Sequence, residues 1–482
     1  MNSTNKADFD FDLIVIGAGY GGFDAARHAS ENGLRTALIE SHDIGGTCVN
    51  RGCVPSKALL AAAGRIRSIS DINHLKRFGI NPGALNFERQ AIADHANQLV
   101  ATVRSNITNS LEQIGTKVFK GRGRVEGHQL VGIRQGNGID RVYSTKNTII
   151  ATGSRPFVPS GIEIDGHTVF TSDEAVRLEW LPSWIAIIGS GYIGLEFADI
   201  YTALGCEVTI IEALDQLMPT FDPDIAKIAS RKLIHDRDID IRTGVLATKI
   251  VPGAPVKIEL ANMTNHKPID ELEVDAVLVA TGRVPVSQDL NLDRVGVVTD
   301  RGFIPVNDKM QVIVDGREIP YLWAVGDVTG KMMLAHTAAA QGIIAVDNIL
   351  GLERYIDYRS IPAATFTHPE ISSVGLRESD AKAISVKEGF SLGVIRSHFK
   401  ANSKALAELE SDGMMKLIFR KDTGEVLGAH LYGLHAADLV QEIANAITHR
   451  QSVKTLVNQI HTHPTLTEVV ELGYKSALQA MN

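Results

Sequence analysis

Cysteine is scarce in this chain, and so is positive charge. Three cysteines in 482 residues are too few for the disulfide framework of a small secreted protein. Acidic side chains outnumber basic ones by 56 to 48, so the charge gives no electrostatic reason to bind nucleic acid or an anionic membrane. No run of 18 apolar residues occurs, which argues against a membrane span. These absences predict a globular protein of a reducing compartment, without nucleic acid or membrane as partner.

The chain does have length and apolar content. With 482 residues, 44% of them hydrophobic, it can bury about three domain cores of ordinary size. Its first residues, MNSTNKADFDFD, carry neither an apolar stretch nor an Arg-rich amphipathic pattern, which disfavours a signal or transit peptide. We therefore expect a bacterial cytoplasmic protein, or a plastid-stromal one if a leader has been removed.

One sequence pattern occurs twice. An apolar strand, in DLIVIGAGYGG and again in WIAIIGSGYIG, runs into three glycines, a helix-like stretch and a second strand that ends in an acid. In such a unit the glycines permit a tight turn, the approach of a pyrophosphate and close helix packing. Two copies in register predict two dinucleotide-binding domains rather than two incidental Gly-rich turns. The residues are Gly17, Gly19, Gly22 and Glu40 in the first copy, and Gly189, Gly191, Gly194 and Glu212 in the second.

Three further strand ends extend this organisation. Two apolar runs end in Ala-Thr-Gly, in TIIATGSRP and AVLVATGRVP, and we interpret them as the crossings into and out of the second nucleotide domain. The stretch IPYLWAVGDVTG then delivers Asp327 at the end of a strand, where its carboxylate suits a sugar-like chain; capping of the next helix is the alternative. From about residue 353, alternating segments and helix-like stretches indicate a mixed α+β domain without a nucleotide motif.

Cys48 and Cys53 lie close together in GGTCVNRGCVPSKALL, just after the first nucleotide-binding unit. Thiols this near in sequence can form a disulfide across a small ring. Zinc would need a second pair of ligands, and no second Cys pair exists. Because disulfides in a reducing compartment are usually catalytic or redox-sensing, the pair is interpreted as a redox-active disulfide, with two unrelated buried thiols as the alternative. Cys206 is expected to be a buried packing residue.

A series of motifs resembles the pyridine nucleotide–disulfide oxidoreductases, and within them the branch that oxidises dihydrolipoyl groups. They follow that family's order from residue 12 to residue 468, and the Arg-containing disulfide segment is similar to the cyanobacterial and plastid form. The motifs are GAGYGG, GGTCVNRGCVPSKALL, ATGSRP, GSGYIGLE, TGRVP, AVGD, FTHPEISSVG and HTHPTLTE.

The resemblance implies a homodimer that passes electrons from a dihydrolipoyl group through a Cys48–Cys53 disulfide to FAD and then to NAD. Cys48 matches the thiol that meets the substrate, and Cys53 the thiol beside the flavin. His463 matches the catalytic base and Glu468 its orienting carboxylate, both reaching the disulfide from the partner subunit. Histidine suits this task because it exchanges a proton near neutral pH.

The same resemblance assigns the cofactor residues. Glu40 matches the acid on the adenosine ribose of FAD, Asp327 the aspartate on the ribityl chain, and Lys57 with Glu196 an ion pair beside the flavin. The second glycine motif matches the nicotinamide nucleotide site. Further residues assigned to the cofactor sites are Gly46, Thr47, Ala151, Thr152, Gly153, Gly282 and Ala335.

The predicted fold class is α/β, with two Rossmann-like dinucleotide-binding domains and a C-terminal α+β dimerisation domain. The FAD-binding domain is expected to be interrupted by the NAD-binding domain and to resume after it. The predicted segments are 1–156 for FAD, 157–283 for NAD, 284–352 for the second FAD segment and 353–482 for the interface domain.

The residues also bear on which member of the family this is. Glu212 should accept a hydrogen bond from the 2′-OH of NAD and repel the 2′-phosphate of NADP, which weighs against the NADPH-dependent glutathione and trypanothione reductases. No Cys pair lies near the C-terminus, unlike in mercuric and large thioredoxin reductases, and a transhydrogenase would lack the Cys48–Cys53 pair altogether.

A non-catalytic scaffold or redox sensor is the alternative from a different class of function. The lipoyl group is expected on an acyltransferase core or on the glycine cleavage carrier protein.

Two neighbouring features leave alternatives open. His461 and His463 form an H-x-H pattern, but no third ligand lies nearby, so we expect no metal and assign His461 to surface or packing. Arg51 lies between the two cysteines, where its charge should favour the thiolate form and raise the disulfide's reduction potential; a solvated loop charge without effect is the alternative. Measuring the potential of Arg51→Val tests this, and no change or a rise would count against it.

Overall fold

A computed structural model describes residues 9–135, 139–237 and 239–481. The prediction that the first twelve residues are not a signal or transit peptide concerns a segment that lies mostly outside the described residues. The helices are α1 (Tyr20–Glu31), α2 (Gly46–Arg51), α3 (Cys53–Ser70), α4 (Ile72–Arg77), α5 (Arg89–Gln113), α6 (Ser172–Ala175), α7 (Tyr192–Ala203), α8 (Pro223–Leu233), α9 (Ala335–Ile349), α10 (Glu378–Glu388), α11 (Ser403–Ala407), α12 (Ala436–Thr448), α13 (Val453–Leu456) and α14 (Glu468–Met481). None of these helices, within the described residues, is long and apolar enough to cross a membrane.

The strands are β1 (Phe11–Ile16), β2 (Thr36–Glu40), β3 (Lys117–Lys120), β4 (Arg122–Gly127), β5 (Leu130–Gln135), β6 (Ile139–Ile150), β7 (Ser154–Pro156), β8 (Val169–Thr171), β9 (Trp184–Ile188), β10 (Glu207–Glu212), β11 (Asp240–Thr243), β12 (Val245–Val251), β13 (Val256–Asn262), β14 (Pro268–Val274), β15 (Ala276–Val279), β16 (Arg283–Pro285), β17 (Gln311–Val314), β18 (Arg317–Ala324), β19 (Ala363–Thr365), β20 (Glu370–Gly375), β21 (Leu392–His398), β22 (Met414–Arg420) and β23 (Val426–Gly433).

The chain divides into two compact units. The first comprises Met1–Ser56, Asp94–Phe157 and Arg283–Ile356, and the second comprises Lys57–Ala93, Val158–Gly282 and Asp357–Asn482. The finer division into FAD, NAD and interface domains stays a prediction.

The first unit is built on a sheet with the strand order β17-β18-β6-β1-β2-β3. Strands β3, β2, β1, β6 and β18 pair in parallel, and residues 13–16 of β1 are almost completely buried, as expected for a parallel strand covered on both faces. Helix α1 connects β1 to β2 and packs closely against α9. The two backbones approach so closely that a Cβ on Gly342 would overlap the carbonyl oxygen of Gly21. The sheet thus places the turn after β1 at the carboxyl edge of the strands, where doubly wound sheets bind ligands.

Residues 158–282 of the second unit repeat this architecture. Its parallel strands run in the order β11-β10-β9-β15-β8, and α7 connects β9 to β10. An antiparallel sheet, β12-β13-β14, shares an apolar core with the parallel one. The predicted second copy of the βαβ unit is confirmed, with the turn after β9 again at the carboxyl edge.

The C-terminal part of the second unit is an antiparallel sheet, β19-β20-β23-β22-β21. Helices α12 and α14 bury their apolar residues against it in a single core. The alternating segments of the sequence lie in β22 and β23 as expected, so the mixed α+β character of this region is confirmed.

Candidate functional site

The two glycine loops have almost the same backbone. Gly17 and Gly189 adopt φ values of +104° and +106°, a left-handed region that favours glycine. A Cβ on Gly17 would overlap the carbonyl oxygen of Ala151, and one on Gly189 would approach that of Ala280 to 2.6 Å. The Ala-Thr-Gly segments predicted as strand ends therefore lie directly against the two loops, and Ala280 is a neighbour that sequence analysis did not single out.

The other two glycines of each loop differ in their surroundings: the third is packed against the loop, whereas Gly191, the middle glycine of the second loop, is not. A Cβ on Gly22 would overlap the carbonyl oxygen of Gly17, and a Cβ on Gly194 that of Gly189. Around Gly191 a Cβ would meet no atom of the described chain within 4 Å, and Gly191 caps the N-terminus of α7 with an ordinary extended backbone. The third glycines therefore close the loop against the helix, while the middle glycine leaves the helix N-terminus open, where free N–H groups suit a phosphate.

The two acids at the strand ends make matching hydrogen bonds. Glu40 accepts from the backbone N–H of Ala18 at 2.7 Å and from that of His42 at 2.8 Å. Glu212 accepts from the N–H and hydroxyl of Ser190 at 2.9 and 2.7 Å and from the N–H of Leu214 at 3.0 Å. Each acid thus binds its own glycine loop through one carboxylate oxygen, at the strand end where such units place a ribose-binding acid.

The cysteine segment is attached to the first glycine loop. Gly45 donates its N–H to the carbonyl of Ala18 at 2.8 Å, and a Cβ on Gly46 would lie 2.7 Å from the Cα of Gly19. Gly46 itself begins α2 with a φ of +57°, so only glycine fits there without strain. This close approach places α2, with Thr47 and Cys48, beside the loop predicted to bind FAD.

The cysteines lie in two consecutive helices rather than in a loop. Cys48 is half-buried in α2, and Cys53 is exposed at the start of α3, where Pro55 is tolerated in the first turn. Asn50 stabilises α2, since its amide donates to the carbonyls of Ile44 and Gly46 at 3.0 and 2.9 Å. Burial and then the nearby sulfur atoms of both cysteines raise the pKa of Tyr20. Tyr20 and Asn50 are site neighbours that sequence analysis missed, although both stand inside the quoted motifs.

Asp327 takes part in a chain of polar contacts. It lies in the 3₁₀ turn Gly326–Thr329 after β18, and its Oδ2 accepts from the hydroxyl of Ser154 at 2.5 Å. The same hydroxyl accepts from Nε of Arg283 at 2.7 Å, so its hydrogen is directed at the carboxylate. The next helix, α9, begins at Ala335 with Leu334 as its N-cap, and the sugar-binding role of Asp327 stays a prediction. Ser154 and Arg283 follow Gly153 and Gly282 in the two Ala-Thr-Gly motifs, and sequence analysis gave them no role.

Three other assigned residues are also placed by the first unit. Thr152 donates its hydroxyl to the carbonyl of Val286 at 2.5 Å, and the N–H of Val286 donates to the carbonyl of Gly153 at 3.0 Å. Ala335 is the first residue of α9, a helix that packs against α1. The glycine loop, Glu40, α2, Asp327 and the N-terminus of α9 thus belong to one compact unit.

Lys57 and Glu196 form an ion pair inside the second unit. The ammonium lies 2.9 and 2.8 Å from the two carboxylate oxygens, and Glu196 is buried. The carboxylate also accepts from the N–H of Phe366 at 3.0 Å, and the Phe366 ring lies 4.4 Å below the ammonium. Lys57 follows Cys53 by one turn of α3, so the two side chains share a face of that helix.

His463 and Glu468 lie together at the start of α14. Nδ1 of His463 is 2.8 Å from Oε1 of Glu468, whose Oε2 accepts from the N–H of Thr465 at 3.0 Å. This hydrogen bond from His463 is the main cause of a lowered pKa for Glu468. Because a carboxylate can only accept, the imidazole hydrogen is on Nδ1, and Nε2 is left as the base. The His463 side chain is 70% exposed, so this base faces outward.

His461 and Cys206 are interior residues. The His461 side chain is only 7% exposed and its Nε2 lies 3.1 Å from Oε1 of Glu442, which corrects the surface alternative in favour of packing. Cys206 is buried immediately before β10, and burial raises the pKa of its thiol to about 11, so this thiol is unreactive. Among the described residues no cluster of three or more metal-ligating side chains occurs.

The arrangement fits two dinucleotides and a thiol redox centre. Each glycine loop has backbone turns that a side chain would fill and an acid beside it, and the helix N-terminus of the second loop is open. The first loop also carries two cysteines next to it and a fixed carboxylate at Asp327. These are the parts that thiol–disulfide exchange linked to a flavin requires.

Comparison with known proteins gives matches over nearly the full chain. A family model described as pyridine nucleotide-disulphide oxidoreductase matches residues 11–342, and one described as the dimerisation domain of that family matches residues 361–473. A dihydrolipoyl dehydrogenase of Synechocystis is 60% identical, covering 98% of this chain and 99% of that protein. The chloroplastic dihydrolipoyl dehydrogenase 2 of Arabidopsis thaliana is 53% identical, covering 99% and 84%. The crystal structure of LpdA from Mycobacterium tuberculosis has a TM-score of 0.86 at 27% identity, covering 96% and 99%.

Proposed function

Because this chain belongs to the pyridine nucleotide–disulphide oxidoreductase family, we propose that it is an NAD-dependent dihydrolipoyl dehydrogenase. In this proposal it oxidises protein-bound dihydrolipoyl groups to the cyclic disulfide with FAD and NAD⁺. One observation carries it: the hydrogen bond from Gly45 to Ala18 and the contact of Gly46 with Gly19 attach the cysteine segment to a dinucleotide loop. A non-catalytic scaffold would not need thiols at that place.

The exchange step uses Cys48, Cys53 and His463. Nε2 of His463 accepts the proton of one substrate thiol, and the resulting thiolate attacks the Sγ of Cys48 in a Cys48–Cys53 disulfide. Cys53 leaves as a thiolate, and a mixed disulfide forms between the substrate and Cys48. The second substrate thiol then displaces Cys48 and passes its proton to the departing Cys48 sulfur. The substrate leaves as a cyclic disulfide, and two electrons remain on the cysteines, with Cys48 as a thiol and Cys53 as a thiolate.

The roles of Glu468 and Lys57 follow from their contacts. Glu468 fixes the Nδ1–H tautomer of His463 and stabilises the imidazolium that forms when Nε2 accepts the proton. Lys57 and Glu196 form an ion pair, which the proposal assigns to the flavin site.

Each cofactor has a set of residues to hold it. FAD would be held by the loop Gly17–Gly22, by Glu40 on its ribose and by Asp327 with Ser154 on its ribityl chain. NAD would be held by the loop Gly189–Gly194 and by Glu212 on the 2′-OH. The bound flavin and nicotinamide supply the electron transfer from the cysteine pair to NAD⁺. Glu212 is buried and accepts hydrogen bonds from the N–H and the hydroxyl of Ser190, and its carboxylate would repel a 2′-phosphate placed beside it.

The chain forms a homodimer, since residues 361–473 match the family's dimerisation domain. Within the proposal, His463 and Glu468 act on the cysteine pair of the partner subunit, which accounts for a catalytic base that is 70% exposed on its own chain. The lipoyl groups are those of a 2-oxo acid dehydrogenase acyltransferase core or of the glycine cleavage carrier protein. The similarity to a Synechocystis and a chloroplastic relative supports a cyanobacterial-type enzyme of the cytoplasm or plastid stroma.

Steady-state turnover of the purified flavoprotein tests the proposal. We expect NAD⁺-dependent oxidation of dihydrolipoamide, with little turnover of glutathione disulfide and NADPH. Cys48→Ser should abolish dihydrolipoamide oxidation and keep the bound flavin, whereas Cys206→Ala removes a buried, unreactive thiol and should keep the activity. Normal turnover by Cys48→Ser, or wild-type preference for glutathione disulfide, would refute the proposal.

A further inference from the structure

The loop that carries His463 is exposed except for one side chain. Residues 458–464, all of which the structure describes, lie between α13 and α14 and belong to neither a helix nor a strand. Ile460 is 98% exposed and His463 is 70% exposed, whereas the His461 side chain between them is 7% exposed. His461 is therefore the inward-facing side chain of this loop.

His461 contacts the body of the unit through Glu442. Its Nε2 lies 3.1 and 3.3 Å from the two carboxylate oxygens of Glu442, which belongs to α12. A carboxylate can only accept, so the hydrogen of this bond is on Nε2. The Glu442 carboxylate is itself 26% exposed, and after burial it is the main cause of a raised pKa for Tyr474 of α14. One carboxylate thus lies where α12, α14 and the loop meet.

The other nitrogen of His461 shows that packing alone does not explain this residue. Nδ1 is buried and has no hydrogen-bond partner among the described residues. A buried polar atom without a partner costs free energy, and an apolar side chain of similar size would avoid that cost. The hydrogen bond to Glu442 is what a histidine provides here and an apolar residue would not.

The two histidine–carboxylate pairs are coupled through the loop. His461 and His463 are two residues apart, and Glu468, which binds His463, also accepts from the N–H of Thr465 two residues further along. Thr465 closes the turn that contains His463 by donating its hydroxyl to the carbonyl of Thr462, the residue next to His461, at 2.7 Å. A displacement of His461 is therefore passed directly to the backbone of His463.

We propose that His461 is a positioning residue for the proposed reaction: its hydrogen bond to Glu442 fixes the loop 458–464, so that His463 keeps Nδ1 on Glu468 and Nε2 directed outward. The inference rests on the proposed function for the role of His463. Misplacement of a reacting group by about 1 Å can cost on the order of 100-fold in rate, so the orientation of this loop matters for turnover.

Two amide variants of His461 separate the hydrogen bond from the packing. The amide nitrogen of Gln reaches the place of the imidazole Nε2, whereas that of Asn reaches the place of Nδ1. In the flavin-loaded dimer we expect His461→Asn to lower kcat for dihydrolipoamide by about 10-fold or more, with KM within about twofold. His461→Gln should keep kcat within about threefold, because it restores the donor to Glu442.

Two further readouts complete the test. NADH-dependent reduction of a dye acceptor does not use His463 and should be unchanged in both variants. Hydrogen exchange of residues 458–468 should become faster in His461→Asn and stay as in the wild type in His461→Gln. An undiminished kcat for His461→Asn, equal losses in both variants, or parallel loss of dye reduction would each overturn the inference. Failure of the wild type to oxidise dihydrolipoamide would refute the proposed function instead, while the exchange measurement would still test the anchoring of the loop.

Discussion

A methyl group added at Gly191 should weaken the binding of NAD without affecting the folding of the chain. Gly191 has φ −77° and ψ −173°, a conformation open to any L-residue. An added Cβ would meet no described atom within 4 Å, so Gly191→Ala should fold normally. The methyl would instead project at the N-terminus of α7, where a pyrophosphate must approach the backbone.

The expected size follows from the contact that is lost. A hydrogen bond from a backbone N–H to a charged oxygen contributes about 1.5–3 kcal/mol, so loss of one bond should raise the KM for NAD⁺ roughly 10- to 100-fold. Gly194→Ala is the structural contrast, because its Cβ would overlap the carbonyl oxygen of Gly189. That overlap forces the loop to move, and over-packing of this kind costs about 1–3 kcal/mol in addition to the binding loss.

The assay compares NAD⁺ saturation curves with flavin content and Tm. For Gly191→Ala we expect a higher KM for NAD⁺ with wild-type flavin content and Tm, and for Gly194→Ala a higher KM with a lower Tm. The equivalent change in the first loop, Gly19→Ala, meets only the Cα of Gly46 at 4.0 Å and should reduce flavin content. A KM for Gly191→Ala within twofold of the wild type, or loss of flavin from it, would refute the assignment of this loop to NAD.

Three other changes address the acid beside that loop, the flavin site and the base. Glu212→Gln removes the charge and keeps a single acceptor oxygen, which can serve Ser190 or Leu214 but not both. The preference for NAD over NADP in kcat/KM should fall roughly 10-fold or more; an unchanged ratio would contradict the role of Glu212. Ser154→Ala removes the donor to Asp327 and should weaken flavin retention by about 5- to 10-fold, measured as the rate of flavin release; a wild-type rate would leave Asp327 independent of Ser154. The pKa of Glu468 is lowered mainly by His463, so this carboxylate is ionised above its ordinary pKa, and the pair is lost only as pH falls through the lowered value. Glu468→Gln should therefore lower kcat about 10-fold or more at every pH from about 6 to 8, and wild-type kcat at the acid end of that range would show that the ionised carboxylate is not needed.

The parts of the site that could be predicted are those set by neighbouring residues. The turn of Gly17, the packing of Gly22 and the return of Glu40 to the loop all belong to one βαβ unit, and their spacing in the sequence fixes their geometry. The parts that could not be predicted join distant segments. Ser154 and Asp327 are 173 residues apart, and neither periodicity nor spacing connects them. Glu442 was missed for the same reason, because it appears in the sequence only as one polar residue of an amphipathic helix.

The two duplicated βαβ units differ in the segment that follows the strand-end acid, although this segment contacts the same position of the glycine loop in both. In both, the chain that follows the strand-end acid turns back over the middle of the glycine loop. After β2 this return is made by Gly45, whose N–H donates to Ala18, and after β10 by Met218, whose N–H donates to the hydroxyl of Ser190 at 3.0 Å. The first return continues into α2 with Cys48, whereas the second carries no thiol.

Under the proposed function, this shared position accounts for the place of the cysteine pair in the first unit. Glycines at positions 45 and 46 allow the backbone to approach Gly19 closely, so the thiols of α2 and α3 are brought next to the flavin loop. In the second unit the larger residues Leu214 and Met218 occupy the return, and Leu214 is 47% exposed. Under the proposed function, the residues that follow the acid therefore distinguish the two units: small glycines bring the cysteine segment onto the first loop, whereas larger side chains follow the acid in the second.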